Sequence, residues 1–344
     1  MSIKVGLLGF GGIAKPHYRA YDQISAENPD IQLVAVCDID PIQFETAQEI
    51  NIKTGQAKAD LTGKRLYTNV YDMLENEELD MIDICLPTYL HAEYTIEMLK
   101  AGKHVMCEKP MAISSAACRE MIDTANKVGK KLMIGQCLRF EPAYLCLKEF
   151  VDSGEFGKVN YAFFDRLSSI PKWGYNKWFQ STRHSGGCAL DLHIHDVDMI
   201  RFLFGEPDRV TAVAQDDIVK WQLINSRFSY KDIPVVTATG SWSSSPKTPF
   251  SMTYRVGFER AEVIFQGGKV MVYPMNESVN GGEPYEVEYV KKNRMAEEIK
   301  YFISTFAYGV ENVTNTPESA MESVALVEKL RKSADEGGTI IENK

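Results

Sequence analysis

Near the start of the chain, Gly9-Phe10-Gly11-Gly12-Ile13-Ala14 fits the spacing G-x-G-x-x-A. An apolar run precedes it and a helical stretch follows, which is the context this motif needs to hold a pyrophosphate. Gly9 permits the tight turn, Gly11 lets an anion approach the backbone, and Ala14 lets the helix pack close to the strand. The N–H groups at the helix start then hold the anion. Gly9, Phe10, Gly11, Gly12 and Ile13 are therefore candidate cofactor contacts. Asp38 ends the second apolar run, where a carboxylate accepts hydrogen bonds from both ribose hydroxyls and repels a 2′-phosphate. No Arg or Lys follows in Ile39-Asp40-Pro41, so the expected cofactor is NAD rather than NADP. A solvated turn aspartate or a helix cap is the plainer reading of Asp38.

Two further segments lie at the ends of apolar runs. Leu86-Pro87-Thr88 is followed by His91, and Glu108-Lys109-Pro110 closes the next run. Ligands of doubly wound sheets bind beyond the carboxyl ends of the strands, so both segments face the cofactor. Pro87, Thr88, His91, Glu108 and Lys109 join the candidate cofactor contacts, together with Gln136 after the last run. An amine at position 109 can hydrogen-bond a substrate hydroxyl and stabilise charge developing on oxygen. Taken alone, it also reads as an ordinary surface lysine.

The segment from Ser185 to Gly205 contains Asp191, His193 and His195. As a strand these would share one face and resemble a zinc site. As a helix, Asp191 and His195 lie together and His193 points elsewhere. Leu192, Met199 and Leu203 fall at helical spacing and Gly205 gives a stop, so the helix is expected and no metal site. A carboxylate beside His195 stabilises its imidazolium and orients the ring, and such a histidine suits removal of a hydroxyl proton. A structural hydrogen bond between the pair is the bland alternative. Trp173, Tyr175, Trp178, Arg183 and His184 come just before; they read equally as a sugar-facing surface or as a packed loop.

Alternating apolar strands and helices must position these residues. Ile3 to Leu8, Leu33 to Cys37, Met81 to Leu86, His104 to Cys107 and Leu132 to Ile134 read as buried parallel strands. Helices are expected from about Gly12 to Ile24, after Pro41, over Glu93 to Ala101, and over Ser115 to Val128. The domain break falls near Gln136 to Phe140. Beyond it, Met252, Tyr254, Val256 and Phe258 alternate with polar residues, as in an antiparallel sheet with one buried face. Ile299, Phe302, Ile303 and Phe306 mark one closing helix; Met321, Val324, Val327 and Leu330 mark another, with Thr316-Pro317 at its start.

The chain has 344 residues, enough for two domains, and a net charge of −9, which argues against nucleic acid as a partner. No apolar run is long enough for a membrane helix, and no signal peptide opens the sequence, so a cytoplasmic protein is expected. The seven cysteines form no C-x-x-C pair and read as reduced thiols.

Taken together, these motifs resemble the family of glucose–fructose oxidoreductase, inositol dehydrogenase and the rhizopine-catabolism dehydrogenases. The resemblance rests on the glycine motif, Pro87-Thr88 with His91, Glu108-Lys109-Pro110, Arg139-Phe140, and Asp191 with His195 and Asp198. It implies an α/β fold: an N-terminal NAD-binding Rossmann doubly wound parallel sheet over 1–137, then a catalytic α+β domain over 138–344 with a large, mostly antiparallel sheet. It implies a dehydrogenase transferring hydride between nicotinamide and a secondary alcohol or ketone of a polyol, inositol or sugar. Lys109 would polarise the oxygen, His195 would exchange its proton, and Asp191 would orient His195. It also implies a homodimer or homotetramer. His193 departs from the glycine common at its position and raises a question about pocket size. An NAD-using glycosidase and a non-catalytic NAD-binding sensor are the rival readings; sensors tend to lose the lysine or histidine that this chain keeps.

Overall fold

The computed structural model describes residues 2–47 and 58–343. In chain order the first half runs β1 (Ile3–Leu8), α1 (Ala14–Glu27), β2 (Ile31–Cys37), β3 (Arg65–Tyr67), α2 (Val70–Asn76), β4 (Met81–Ile84), α3 (Thr88–Lys100), β5 (His104–Glu108), α4 (Ser115–Val128) and β6 (Leu132–Gly135). Then come α5 (Pro142–Ser153), β7 (Val159–Leu167), α6 (Thr182–Ser185), α7 (Gly187–Asp191) and α8 (Ile194–Phe204). Strands β8 (Arg209–Gln215), β9 (Leu223–Ser229), β10 (Val235–Ser241), β11 (Ser251–Phe258), β12 (Ala261–Gln266), β13 (Lys269–Pro274) and β14 (Tyr285–Glu286) follow. Helices α9 (Arg294–Ala307) and α10 (Pro317–Asp335) and strand β15 (Ile341–Glu342) close the chain.

Contacts divide the chain into two compact units. One holds Met1–Cys137, Pro171–Ser185 and Asn293–Val324; the other holds Leu138–Ile170, Gly186–Lys292 and Ala325–Lys344. The chain changes unit at Cys137, near the sequence-predicted break, but two later segments return to the first unit. The apolar stripe of α9 explains one return. Ile299, Phe302 and Ile303 share a buried cluster with Tyr18, Tyr21 and Ile24 of α1, so the helix covers the sheet built a hundred and more residues earlier.

In the first unit, six strands lie in the order β3-β2-β1-β4-β5-β6, and every pair is parallel. β4 and β6 are buried along their whole length, which is why they read as unbroken apolar runs. Ser114 caps α4 through its side chain, and Gly129 ends it in the left-handed conformation, at the boundary the sequence predicts. The helix expected from Glu93 begins earlier, at Thr88, because Pro87 stands extended just before the first turn. Thr88 and His91 are thereby helical residues. The helix expected after Pro41 is one short 3-10 turn, Pro41–Phe44, capped by Asp40.

In the second unit, nine strands lie in the order β14-β13-β12-β11-β7-β10-β9-β8-β15. β7 and β10 form the parallel pair, and the other pairs are antiparallel. Tyr254, Val256 and Phe258 are buried and Arg255 between them is exposed, so the alternation in the sequence marks the covered face.

That covered face also holds a charge. Arg166 follows Ala162 and Phe164 inward on β7 and forks onto Asp196 of α8 at 3.0 and 2.9 Å. A second buried fork runs from Arg139 to Asp198 of α8, at 2.8 and 2.7 Å. Planar guanidinium–carboxylate pairs fix orientation as well as distance, so α8 is held at two points. Asp196→Ala should strand the Arg166 guanidinium and destabilise the fold by about 3–5 kcal/mol. Denaturant unfolding checks this, and a midpoint shift corresponding to under about 1 kcal/mol would show that the fork contributes little.

Candidate active site

The phosphate loop occupies the turn from β1 into α1. Gly9 has φ +88°, and a Cβ there would lie 2.6 Å from the Cys85 carbonyl oxygen, so only glycine fits. At Gly11 a Cβ would meet nothing within 4 Å. The first turn of α1 has no side-chain cap and no acidic residue. Open space above Gly11 and an uncapped helix start together fit a pyrophosphate. Asp38 stands beyond the end of β2. Its Oδ2 accepts from the Phe10 N–H at 2.6 Å and its Oδ1 from the Asp40 N–H at 2.9 Å. Burial nevertheless raises the Asp38 carboxyl above its ordinary pKa. These residues fit a dinucleotide: the loop would hold the phosphates and Asp38 a ribose.

A basic residue does reach Asp38, but from α1 rather than from the segment after it. Lys15 lies over the Phe10 ring, 3.8 Å from its centroid, and donates to the Gln43 carbonyl at 2.6 Å. Burial lowers its pKa to about 8, although Asp38 opposes the shift. The ammonium is thus engaged with Gln43 and Phe10. Asp38→Ala should weaken NAD binding about 10- to 100-fold through loss of charge-assisted hydrogen bonds. KM values for NAD and NADP would check this; an unchanged NAD value would remove Asp38 from the ribose site.

The ends of β4 and β5 are tied together by His91. Its Nδ1 is 2.8 Å from the Pro110 carbonyl and its Nε2 is 2.8 Å from the Leu86 carbonyl. Burial lowers the His91 pKa even with these two carbonyls beside it. A neutral ring has one N–H, so His91 donates to one of these carbonyls and packs against the other, with Pro87 and Thr88 next to one and Lys109 next to the other. The buried Gln136, just past β6, has a side-chain amide nitrogen without a hydrogen-bond partner.

The Glu108 side chain turns into the interior. Its Oε1 meets His17 Nε2 at 2.9 Å and its Oε2 accepts from the Lys109 N–H at 2.9 Å. Asp83 takes the other ring nitrogen of His17 at 2.7 Å, and the Tyr21 hydroxyl donates to Asp83 at 3.0 Å. Burial pushes against charge on His17, yet Asp83 holds its pKa well above the ordinary value. Burial likewise opposes Glu108 ionisation, and the His17 hydrogen bond and charge overcome it, leaving its pKa lowered.

Glu298 of α9 adds a third carboxyl. It is fully buried, neither oxygen has a hydrogen-bond partner, and burial followed by Glu108 raises its pKa strongly. Unfolded glutamate ionises above about pH 4.3. A folded state that keeps the proton loses relative stability as pH climbs beyond that value. Glu298→Gln should therefore raise the melting temperature more near pH 8 than near pH 5. An equal or opposite change at the two pH values would mean that Glu298 is ionised when folded.

In the second unit, Asp191 ends α7 and His195 lies in the first turn of α8. The continuous helix expected here is interrupted. The Leu192 and His193 N–H groups both donate to the Cys188 carbonyl, at 3.0 and 2.9 Å, which makes a wide turn. This turn sends His193 inward, where its Nε2 meets the Ser226 hydroxyl at 2.9 Å. His193 is fully buried, and burial lowers its pKa to about 3. It is a neutral core histidine packed against Ser226.

The aromatic segment before α7 belongs to the first unit. The His184 ring lies 4.4 Å from that of Tyr89, the residue after Thr88. Trp178 stacks on Phe179 at 3.8 Å, and Trp173 meets the same ring edge-on at 4.7 Å. Tyr175 and Arg183 are exposed.

Two family models match this chain. Residues 3–136 match the oxidoreductase family with an NAD-binding Rossmann fold, and residues 144–270 match the GFO/IDH/MocA C-terminal domain. The chain belongs to the GFO/IDH/MocA oxidoreductase family. Within this family, it is 34% identical to inositol 2-dehydrogenase of Rhizobium meliloti over 244 residues, 70% of this chain and 66% of that protein. It is 34% identical to D-glucoside 3-dehydrogenase of Escherichia coli over 209 residues, 60% of this chain and 55% of that protein. The matched stretches thus span less than two thirds of these relatives. The fold is shared with levoglucosan dehydrogenase in complex with NADH and levoglucosan, with a TM-score of 0.83, 17% identity and 99% of each chain covered. It is also shared with aldose-aldose oxidoreductase from Caulobacter crescentus complexed with glycerol, with a TM-score of 0.82, 23% identity and full coverage of both chains.

Sequence reading missed His17, Asp83, Arg166, Asp196 and Glu298. Each carries a visible signal, since each is an ionisable residue inside an apolar strand or on the apolar stripe of a helix. No helix among the described residues is long and apolar enough to cross a membrane.

Proposed function

We propose that this protein is an NAD-dependent dehydrogenase that oxidises a secondary alcohol of an inositol, polyol or sugar, or reduces the matching ketone. The observation carrying the reading is the fixed position of Lys109 at the carboxyl end of β5. Glu108 accepts its N–H, and the buried His91 ring lies 2.8 Å from the Pro110 carbonyl beside it. The names of the relatives support a polyol or sugar substrate. Aromatic rings at Tyr89, His184 and Trp178 supply faces of the kind sugars stack on.

A nicotinamide cofactor held by the Gly9–Ile13 loop and Asp38 would supply the hydride acceptor. The chain's own groups handle the oxygen and its proton. Lys109 donates a hydrogen bond to the hydroxyl oxygen and stabilises negative charge as the C–H bond breaks. His195 takes the hydroxyl proton, and Asp191 orients its ring. Alcohol and oxidised cofactor give ketone, reduced cofactor and one proton. Reduction runs through the same groups in reverse, with His195 as the acid.

Self-association through the nine-stranded sheet is part of this reading. Phe163, Val213 and Tyr273 are exposed while the residue before each is buried. Cytoplasmic placement is also part of it, and the seven free cysteines suit a reducing compartment. The test is a panel of inositols, linear polyols and sugars with NAD, followed by the near-ultraviolet absorbance of the reduced cofactor. Reduced cofactor should accumulate with at least one of them. Release of sugar from glycosides with no net reduction, or NAD binding with no turnover on any compound, would overturn the assignment.

A further inference from the structure

We infer that His17 is a positioning residue for Lys109, acting through the Glu108 carboxylate from inside the sheet–helix interface. This inference rests on the role proposed for Lys109.

Both ring nitrogens of His17 face carboxylates, Nδ1 at 2.7 Å from Asp83 and Nε2 at 2.9 Å from Glu108. A neutral imidazole has one N–H and would leave a lone pair against one of them. An imidazolium donates to both, and it is the cation these two carboxylates need in a dry site. His17 and Asp83 are fully buried, so no water substitutes for either bond. The Cys85 thiol lies close enough to complete a three-ligand group with His17 and Asp83. A metal there would need a lone pair on His17, and both nitrogens already sit at hydrogen-bond distance from oxygen. The same groups are therefore better read as an ion cluster than as a metal site.

The chain of contacts leads outward. Asp83 and the Tyr21 hydroxyl fix the imidazolium, the imidazolium fixes Glu108 Oε1, and Glu108 Oε2 fixes the Lys109 backbone. The Pro110 carbonyl is held on the far side by His91. Glu298 of α9 also acts on this cluster without a hydrogen bond to it, and Arg294 acts on Glu298. Buried ion pairs seldom add net stability, and positional specificity is the better-attested reason to keep one. Without the cation, Glu108 and Asp83 both lose their shared buried hydrogen-bond donor, and the carboxylate that accepts the Lys109 N–H is no longer fixed. A misplacement of about 1 Å at a catalytic group lowers turnover about 100-fold.

The experiment is a double-mutant cycle of His17→Gln and Lys109→Ala in the full chain, with the substrate found by the polyol panel. His17→Gln should lower kcat about 10- to 100-fold while the Kd for NAD changes less than about threefold. In the Lys109→Ala background it should cause little further loss. The same loss in both backgrounds would overturn the inference and leave the role of Lys109 intact. Full activity in Lys109→Ala itself would instead remove the underlying reading. Nitrogen NMR of the wild-type His17 ring decides the matter if the variant does not fold. Two protonated nitrogens at neutral pH support the inference, and one bare nitrogen overturns it.

Discussion

Lys109→Ala should lower kcat about 100- to 1,000-fold while NAD still binds. The magnitude is that of removing one preorganised donor from an oxygen that gains charge in the transition state. The split between kcat and cofactor affinity follows from local structure. The phosphate loop and Asp38 belong to the ends of β1 and β2, whereas Lys109 belongs to the end of β5. Its backbone is held by Glu108 and by the brace at Pro110, so a shortened side chain leaves the loop in place. Lys109→Arg keeps the charge but replaces a compact ammonium with a planar fork and should restore only part of the rate. Turnover within about tenfold of wild type in Lys109→Ala would mean that the amine does not bear on the transition state.

The second large effect is expected at His195. His195→Ala should slow turnover about 100- to 10,000-fold, the range for loss of a positioned proton acceptor. The loss should shrink as pH rises, because hydroxide can then take the proton. Added imidazole should restore part of the rate. His193→Ala should behave differently. It removes a buried ring hydrogen-bonded to Ser226, so it should lower stability and leave the chemistry of the folded enzyme nearly intact. Equal kcat losses at the two histidines would point to disruption of the α7–α8 turn as the common cause.

The contrast between these histidines shows what was legible in the sequence. Gly9 to Ile13, the Glu108-Lys109-Pro110 segment and Asp38 are local features. Each is defined by a strand end and a turn within a few residues, so spacing alone carries the information. The alternation in β11 worked for the same reason. The His17 cluster was not legible as a cluster, since its bonds join residues 66 and 91 positions apart. Its members still left traces. Asp83 interrupts Met81-Ile82-Asp83-Ile84, and His17 lies on the buried stripe of α1 with Tyr18, Tyr21 and Ile24. A charge set in an apolar run signals that a partner exists without saying which. Periodicity also gave one unbroken helix carrying Asp191 and His195 up to the stop at Gly205, because a wide turn changes the spacing by a single residue. Chain order alone groups 171–185 and 293–324 with the later part, whereas packing against α3 and α1 groups them with the first unit.

The central claim is that Lys109 and His195 serve one reacting carbinol. The double variant Lys109→Ala/His195→Ala, measured against each single variant with the best substrate from the panel, tests it most directly. Groups acting as a unit are strongly non-additive. The double variant should therefore be about as slow as the slower single one, with NAD still bound. A double variant slowed by the full product of the two single losses would show that the residues act independently, and would contradict a shared site.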